Sequence, residues 1–587
     1  MMSFLYKLRW FFKQRWMQYL IGTSLLSIAN LLFLIPPKFI GDMIDEIRSG
    51  TFTAETLYQK VSFLSTLSIG LYFMIFCYFS LLLGSAIVLE KQLKTRLFTH
   101  LTKMTPNFYQ RNRIGDLMAI STNDVSAISS TAGSGIISMI FTFVGTSIVL
   151  VAMIVLIDYR LVLVTLIPLP FLTSIVGRLG ETLRARILIA QQSFGNMNNH
   201  AFESISGLRV IRSFVQEKKD IQAFDLITAD VMKKNSRVAF TRALIQPVTS
   251  TIIGFCYAIA IGYGSYLVFH NQISLGQLVT FNIYLGLIIW PLVNFGEFIN
   301  MIKRGSASVE RVDSILEQLP EVMDAANLVS IELPTSIEMK NLNFRYPGAM
   351  NESLRQISFH LERGQTLGIV GRTGSGKSTL LKQLLRQYPI ESDKLFIAGT
   401  PIEKIALEEM SAWIGYVPQD YMLISKSIKN NIILGKPDAK TEEIQRVIDL
   451  TCLKEDIDQM KDGWDTIIGE GGIMLSGGQK QRTAIARALL VNPEILILDD
   501  VLSAVDAKTE NHILHNIRKE RREKTTLIAT HRLSAVNHAD WILVLDNGEI
   551  IEEGTHEQLL YRNGWYKQQY DRQKLEVETL HDGKESI

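Results

Sequence analysis

Five stretches of this chain carry no Asp, Glu, Lys or Arg: 16–37, 61–89, 125–157, 161–177 and 243–296. They constrain the fold more than any other feature, because a hydrocarbon core about 30 Å thick is crossed by about 20 apolar residues of helix. Each of the first four holds one such helix, and the fifth holds two, broken at "FHNQISLG". A core helix of a soluble protein would account for one stretch by itself, such as the short 161–177, but not for the set. Six spans follow, at about 16–37, 61–89, 133–157, 161–177, 248–269 and 277–300. Beyond Lys303 no comparable stretch occurs, so a membrane half precedes a water-soluble half.

Basic residues set the orientation. Lys7, Arg9, Lys13 and Arg15 precede the first span, and the long connections 90–124 and 178–242 are rich in Lys and Arg. By the positive-inside rule these face the cytoplasm, and both termini are expected there. The outer connections are short: the acidic "GDMIDEIRSG", the tiny "DYR" and an uncharged third. The first span is too long for a signal peptide and lacks its cleavage site, so it is expected to be retained. "FLYKLRWFFKQRW" ahead of it alternates aromatic and basic residues, as an interfacial helix or a plain flank of the span would. The two inner connections have few turn residues and read as helical extensions of the spans. Their tips, "NFYQRNRIGDLMA" and "ESISGLRVIRSFVQE", mix aromatics with Gly and charge and look like docking surfaces. A net charge of +2 gives no footprint for nucleic acid. Cys77, Cys256 and Cys452 are too scattered for a disulfide framework or a metal cluster and read as small buried residues.

From about residue 336 the pattern becomes strand, Gly-rich turn, helix, as in an α/β domain. The polar piece 305–335, with a short amphipathic start, reads as a linker. In "LGIVGRTGSGKSTLLKQLL" an apolar strand enters Gly371, Arg372, Thr373, Gly374, Ser375 and Gly376, and Lys377, Ser378 and Thr379 then open a helix. Glycines let backbone N–H groups wrap a phosphate, the helix N-terminus adds partial positive charge, the lysine reaches the β- and γ-phosphates, and the serine holds Mg2+. This half is therefore expected to bind a nucleoside triphosphate. In "ILILDDVLSAVD" a second apolar strand ends at Asp499, placed to hold Mg2+ beside the phosphate loop. Asp500 follows, where a carboxylate can orient or deprotonate the attacking water.

"LSGGQKQRTAIARALL", lying between those two motifs, makes the chain resemble an ATP-binding cassette protein over essentially its whole length. Six spans ahead of one cassette resemble an exporter half-transporter, which implies a six-span helical membrane domain (1–304) with long cytoplasmic extensions, fused to an α/β P-loop nucleotide-binding domain (336–570) and followed by a charged tail (571–587). The resemblance implies ATP and Mg2+ as cofactors and a multi-pass place in the bacterial plasma membrane. It implies roles for single residues as well: Tyr346 stacks on adenine, Gln419 senses Mg2+ and substrate, and His531 is the switch histidine at the γ-phosphate. Leu475, Ser476, Gly477, Gly478 and Gln479 form the signature turn that completes a partner's ATP site. Ser503, Ala504, Val505 and Asp506 form the D-loop, and Gly469 to Gly472 the loop that meets the membrane helices. Taken singly, Tyr346, Gln419 and His531 have ordinary core or surface readings; their order around two specific motifs favours function.

Hydrolysing members of the family usually carry glutamate after the Mg2+ aspartate, and this chain has Asp500. The missing methylene draws the carboxylate back from the water, and misplacing a catalytic group by about 1 Å can cost about 10²-fold. The chain's own site is thus expected to bind ATP and turn it over poorly, while its signature turn serves a competent partner site. That asymmetry is known in heterodimeric multidrug exporters, and "YLGLIIWPLVNFGEFINMIKRG", "LLRQYP" and "GYVPQD" resemble their BmrC-type subunit. The expected cargo is amphipathic or apolar, and Glu297, near the inner end of span six, reads either as a cation contact or as an interfacial acid paired with Lys303. The competing readings are a homodimeric lipid flippase of the same architecture, a peptide exporter, and a channel gated by ATP.

Overall fold

The computed structural model describes residues 2–469, 475–502 and 505–585. The chain forms two compact units, one of Met1–His100 with Gly115–Glu317 and one of Leu101–Ile114 with Gln318–Ile587.

The first unit is helical. Trp16–Ser49, Ala54–Leu101, Ile114–Leu156, Tyr159–Ser206 and Glu217–Phe269 are each long and apolar enough to cross a membrane, and Leu275–Ile289 is the apolar part of a sixth helix, Leu275–Leu316. Glu217–Phe269 has 53 residues. At a rise of 1.5 Å per residue it is about 80 Å long, more than twice a bilayer core of about 30 Å. The inner connections are thus helical continuations of the spans. Pro247 and Pro291 sit inside these helices, tolerated where neighbouring helices satisfy the freed carbonyls. The basic-aromatic N-terminal segment forms two short helices, Met2–Lys7 and Arg9–Gln14, with Phe4 and Phe11 fully buried and Tyr6 exposed.

Two expectations about connections are corrected. "GDMIDEIRSG" is not a loop but part of the helix Ile35–Ser49. Its Asp45 accepts from Ser274 Oγ and from the Gly276 amide (2.8 Å), so an outer acid caps the last span's helix. Gly276 cannot be larger there, since a Cβ would lie 2.0 Å from the Gly41 carbonyl oxygen. The last helix also runs on to Leu316, through the first part of the presumed linker, because "SASVERVDSIL" keeps an apolar stripe. That stripe buries Val309, Val312 and Ile315. In the same stretch Ser308 Oγ and Arg311 Nε both donate to Asp124 at 2.8 Å. Asp124 lies in Ile120–Asp124, one of three π-helical turns in the third span helix. Cys77 is exposed, not buried; a chain surrounded by lipid need not cover its apolar side chains with protein.

The second unit contains two sheets. One has the order β2-β1-β4-β5: Leu354–Glu362, Ser336–Phe344, Leu395–Ile397 and Thr400–Pro401. The other has the order β10-β9-β3-β8-β7-β6: Glu549–Gly554, Trp541–Asp546, Thr366–Gly371, Thr525–Thr530, Ile495–Asp499 and Ile414–Val417. From β9 to β6 the strands are parallel. Strands β7 and β8 are buried at every residue, which explains their unbroken apolar runs. Parallel pairing brings the carboxyl ends of β3, β8 and β7 to one edge, where open α/β sheets bind ligands.

The first inner tip belongs to this unit. Its helix Pro106–Arg111 buries Phe108, Asn107 Nδ2 donates to Glu321, and Gln110 Nε2 donates to the Tyr388 hydroxyl at 3.3 Å. The second tip, Leu208–Ser213, has no buried residue, and Phe214 beyond it is 70% exposed. Residues 571–585 of the charged tail form the second part of a helix, Trp565–Glu585.

Candidate functional site

The site is built on three strand ends. Strand β3 stops at Gly371, whose φ of +153° and close neighbour, the Leu545 carbonyl oxygen 2.1 Å from a built Cβ, exclude any side chain. The loop turns through Gly374 (φ +83°) and Gly376 (φ +106°) into the helix Lys377–Leu384. Left-handed glycines at these positions point successive amides into one concavity, the geometry that takes phosphate oxygens. Lys377 Nζ folds back onto the carbonyls of Gly371 and Arg372, 2.9 Å from each. Burial pulls its ammonium down from the usual lysine range, opposed by the nearby Asp500 and Asp499.

Strand β7 does not adjoin β3, because β8 lies between them. The two residues expected to hold Mg2+ meet all the same, since the helix after the loop crosses back over the sheet: Ser378 Oγ donates to Asp499 Oδ1 at 2.9 Å. Burial pushes the Asp499 carboxyl up, while Ser378, Lys382 and Lys377 oppose the rise. Paired hard oxygens beside a phosphate loop suit Mg2+, which takes one or two protein oxygens and completes its shell with phosphate and water. Tyr416, on β6, also bonds to Asp499, and burial first and that carboxylate second push its hydroxyl up. Sequence reasoning passed over Tyr416; its place three residues before Gln419, on a strand paired with β7, was the available signal.

Asp500 sits in the left-handed region (φ +51°), with its amide donating to the Ala529 carbonyl at 2.8 Å. Its Oδ1 accepts from Nδ1 of His531 at 2.8 Å, which leaves the other ring nitrogen, Nε2, for a ligand. The two residues therefore form a pair across the ends of β7 and β8.

These groups line one cavity of about 640 Å3. Tyr346, Thr373, Gly374, Gly376, Lys377, Ser378, Thr379, Gln419, Asp499, Asp500 and His531 all reach it, together with Met350 and Asn547. The Tyr346 ring stands edge-on to Tyr388, and its hydroxyl is 3.1 Å from Thr379 Oγ1. Gly371, Arg372 and Ser375 contribute backbone to the loop without lining the cavity; the Ser375 hydroxyl is buried beneath it.

Among the described residues, none of 475–479 lines this cavity. Ser476 caps the helix Gly477–Leu490, its hydroxyl accepting from the Gln479 amide (3.3 Å) while the Gln479 side chain accepts from the Ser476 amide (3.0 Å). Gln479 also bonds to Asp456 at 2.9 Å, and Ser476 and Gly477 are exposed. This is a preformed helix N-terminus that does not line its own chain's nucleotide cavity. Ser503 and Ala504 lie outside the described residues, as do Glu470 to Met474 of the loop that follows Gly469. Val505 is buried, and Asp506 caps Ala507–Glu520 by accepting from the Thr509 amide at 3.0 Å. Glu297 is exposed on its helix.

A glycine cradle, a lysine and a serine-aspartate pair at the carboxyl edge of a parallel sheet define an ATP- and Mg2+-binding P-loop domain, here fused to a six-span helical domain. The chain matches the family model described as the ABC transporter transmembrane region over residues 19–292 and the ABC transporter model over 354–503. It is 46% identical to the probable multidrug resistance ABC transporter ATP-binding/permease protein YheI of Bacillus subtilis, covering 98% of both chains. It is 37% identical to the multidrug resistance-like ATP-binding protein MdlA of Escherichia coli, over 99% of this chain and 98% of that one. The solved structure of a bacterial Atm1-family ABC exporter with ATP bound superposes with a TM-score of 0.76 at 25% identity, covering 96% of this chain and 98% of that one. The chain belongs to the ABC transporter family, as an exporter with its membrane and ATP-binding domains fused. It is a multi-pass membrane ATPase that couples ATP hydrolysis to export, and exporters of this family work as dimers.

Proposed function

We propose that this chain is one half of a heterodimeric multidrug-type exporter for amphipathic or hydrophobic compounds, and that the site on its own phosphate loop holds ATP without turning it over quickly. Asp500 carries this reading. It occupies the position of the water-activating carboxylate with one methylene too few, and its Oδ1 is engaged by His531 at 2.8 Å. The names of the two multidrug-type relatives support the choice of cargo.

In this reading Tyr346 stacks on adenine, the loop amides from Arg372 to Thr379 hold the phosphates, and Lys377 leaves its carbonyls for the β/γ bridge. Ser378, Asp499 and Gln419 hold Mg2+, which neutralises charge on the phosphates. Doubly protonated, His531 donates from Nδ1 to Asp500 and presents Nε2–H to the γ-phosphate. The signature turn 475–479 and the D-loop 503–506 complete the competent site of the second half-transporter. Closing of the two cassettes passes to the spans through the tips around residues 107–118 and 203–217. ATP drives the cycle only through its preference for the closed state. Glu297 is assigned to cationic cargo, and Glu297→Gln should lose cationic substrates selectively.

Purification of tagged full-length chain from its native membrane tests the assembly. A second half-transporter with glutamate after its Mg2+ aspartate should come with it, and ATPase activity should need both. A chain that forms a fully active ATPase by itself would show a homodimeric exporter or flippase instead.

A further inference from the structure

The C-terminal helix Trp565–Glu585 reaches the back of the nucleotide site. The side-chain amide of Gln573 donates from Nε2 to the His531 carbonyl at 2.8 Å and accepts at Oε1 from the Leu533 amide at 2.9 Å. One side chain thus brackets the turn that carries His531, satisfying backbone groups on both sides of Arg532. The helix is firmly seated where it begins. Glu552 accepts from the amides of Trp565 and Tyr566, and the fully buried Tyr566 bonds through its hydroxyl to His556 Nδ1 at 2.8 Å.

The other fixings of this turn come from different elements. Arg532 donates to the buried Glu510 at 2.7 Å, and the His531 ring rests on Asp500. Ring, neighbouring side chain and backbone are therefore each held by a separate part of the domain. Gln573 is the part that comes from a helix following the last strand of the sheet, in a region that reads in the sequence as a charged tail.

We propose that Gln573 is a positioning residue for His531: the C-terminal helix sets the height of the histidine turn, so that Nε2 meets the γ-phosphate and the site tells ATP from ADP. This rests on the reading that His531 faces the γ-phosphate. A residue that only fastened the helix to the domain would affect both nucleotides alike, because it would not act through the contact of His531 with the γ-phosphate that ADP lacks. With Thr530 before it paired in the sheet and its own carbonyl held by Gln573, His531 has little freedom except rotation about its side-chain bonds, and Asp500 limits that.

The test uses the full-length transporter in nanodiscs as it assembles, with photolabelling of this chain by 8-azido-ATP and competition by AMP-PNP or ADP. Gln573→Leu removes both hydrogen bonds at similar volume, and Gln573→Glu removes only the donor to the His531 carbonyl. Each should weaken competition by AMP-PNP about five- to tenfold, the order of one net hydrogen bond, while shifting ADP by less than about twofold. Gln573→Leu should add nothing in a His531→Ala background. Equal losses for both nucleotides, no loss in either variant, or additivity with His531→Ala would overturn the inference. If His531→Ala weakens AMP-PNP selectively while the Gln573 variants do not, only the inference falls. If His531→Ala is also without selective effect, the reading of the site falls with it.

Discussion

Restoring the missing methylene should awaken the site. Asp500→Glu adds about 1.5 Å of reach, and a displacement of about 1 Å is worth about 10²-fold, or about 2.7 kcal/mol of barrier. Two features of the structure bear on how much of this is recovered. Asp500 has φ +51°, a region that Asp tolerates better than Glu, so the longer residue gives back about 1 kcal/mol. The His531 contact at 2.8 Å must also loosen, because the longer carboxylate has to face the water rather than the ring. The net expectation is about a twentyfold rise in turnover at this site. The assay is phosphate release by the assembled dimer in which the other chain's phosphate-loop lysine has been replaced by alanine, so that only this site can turn over. ATP affinity should change little, because the loop amides, Lys377 and Ser378 are untouched. Unchanged or reduced turnover with ATP still bound would refute the argument that carboxylate reach limits the site.

Three further outcomes follow from the same geometry. Gly371→Ala should abolish nucleotide photolabelling, since its Cβ would lie 2.1 Å from the Leu545 carbonyl oxygen, a backbone atom between paired strands. Nucleotide affinity should fall as pH rises through the lowered pKa of Lys377, at lower pH than an ordinary lysine near about 10.4 would give. The sign for stability is opposite: a buried lysine that loses its proton more readily when folded makes the nucleotide-free protein more stable as pH rises through the same window, which a thermal unfolding series would show. Asp124→Asn should destabilise the membrane unit by about 1–3 kcal/mol in thermal unfolding, below the range for a fully buried pair because Arg311 is 54% exposed. Adding Arg311→Ala to that variant should cost less than the two changes summed.

The glycine loop before Lys377, the apolar strand ending at Asp499 and the helix start at Ser476 were legible because their patterns are local: glycine spacing, a helix start and an apolar strand each lie within a few residues. The spans were legible for the same reason, as runs without charge. What stayed hidden depends on residues far apart in the chain. Asp45 capping the last span's helix, Asp124 held by Ser308 and Arg311, and Gln573 bracketing His531 are each partners that no window of sequence contains. The start of the presumed linker misled because a polar helix with one apolar stripe has the composition of a linker. "GDMIDEIRSG" misled because charge was taken to mark a loop, whereas Asp45 and Glu46 there are engaged, Glu46 with Lys60 at 2.6 Å. The order of β3, β8 and β7 could not be read from the motifs, which give proximity of Ser378 and Asp499 but not the strand between.

Orthovanadate trapping tests the central claim most directly, because it captures ADP only in a site that has just hydrolysed ATP. The assembled transporter is turned over with 8-azido-ATP and vanadate, irradiated, and its two chains are separated. The account predicts trapped label on the second half-transporter and little on this chain, although this chain is labelled by 8-azido-ATP in the cold without vanadate. Equal vanadate-dependent trapping on this chain would contradict it, and would show that Asp500 is a working catalytic residue.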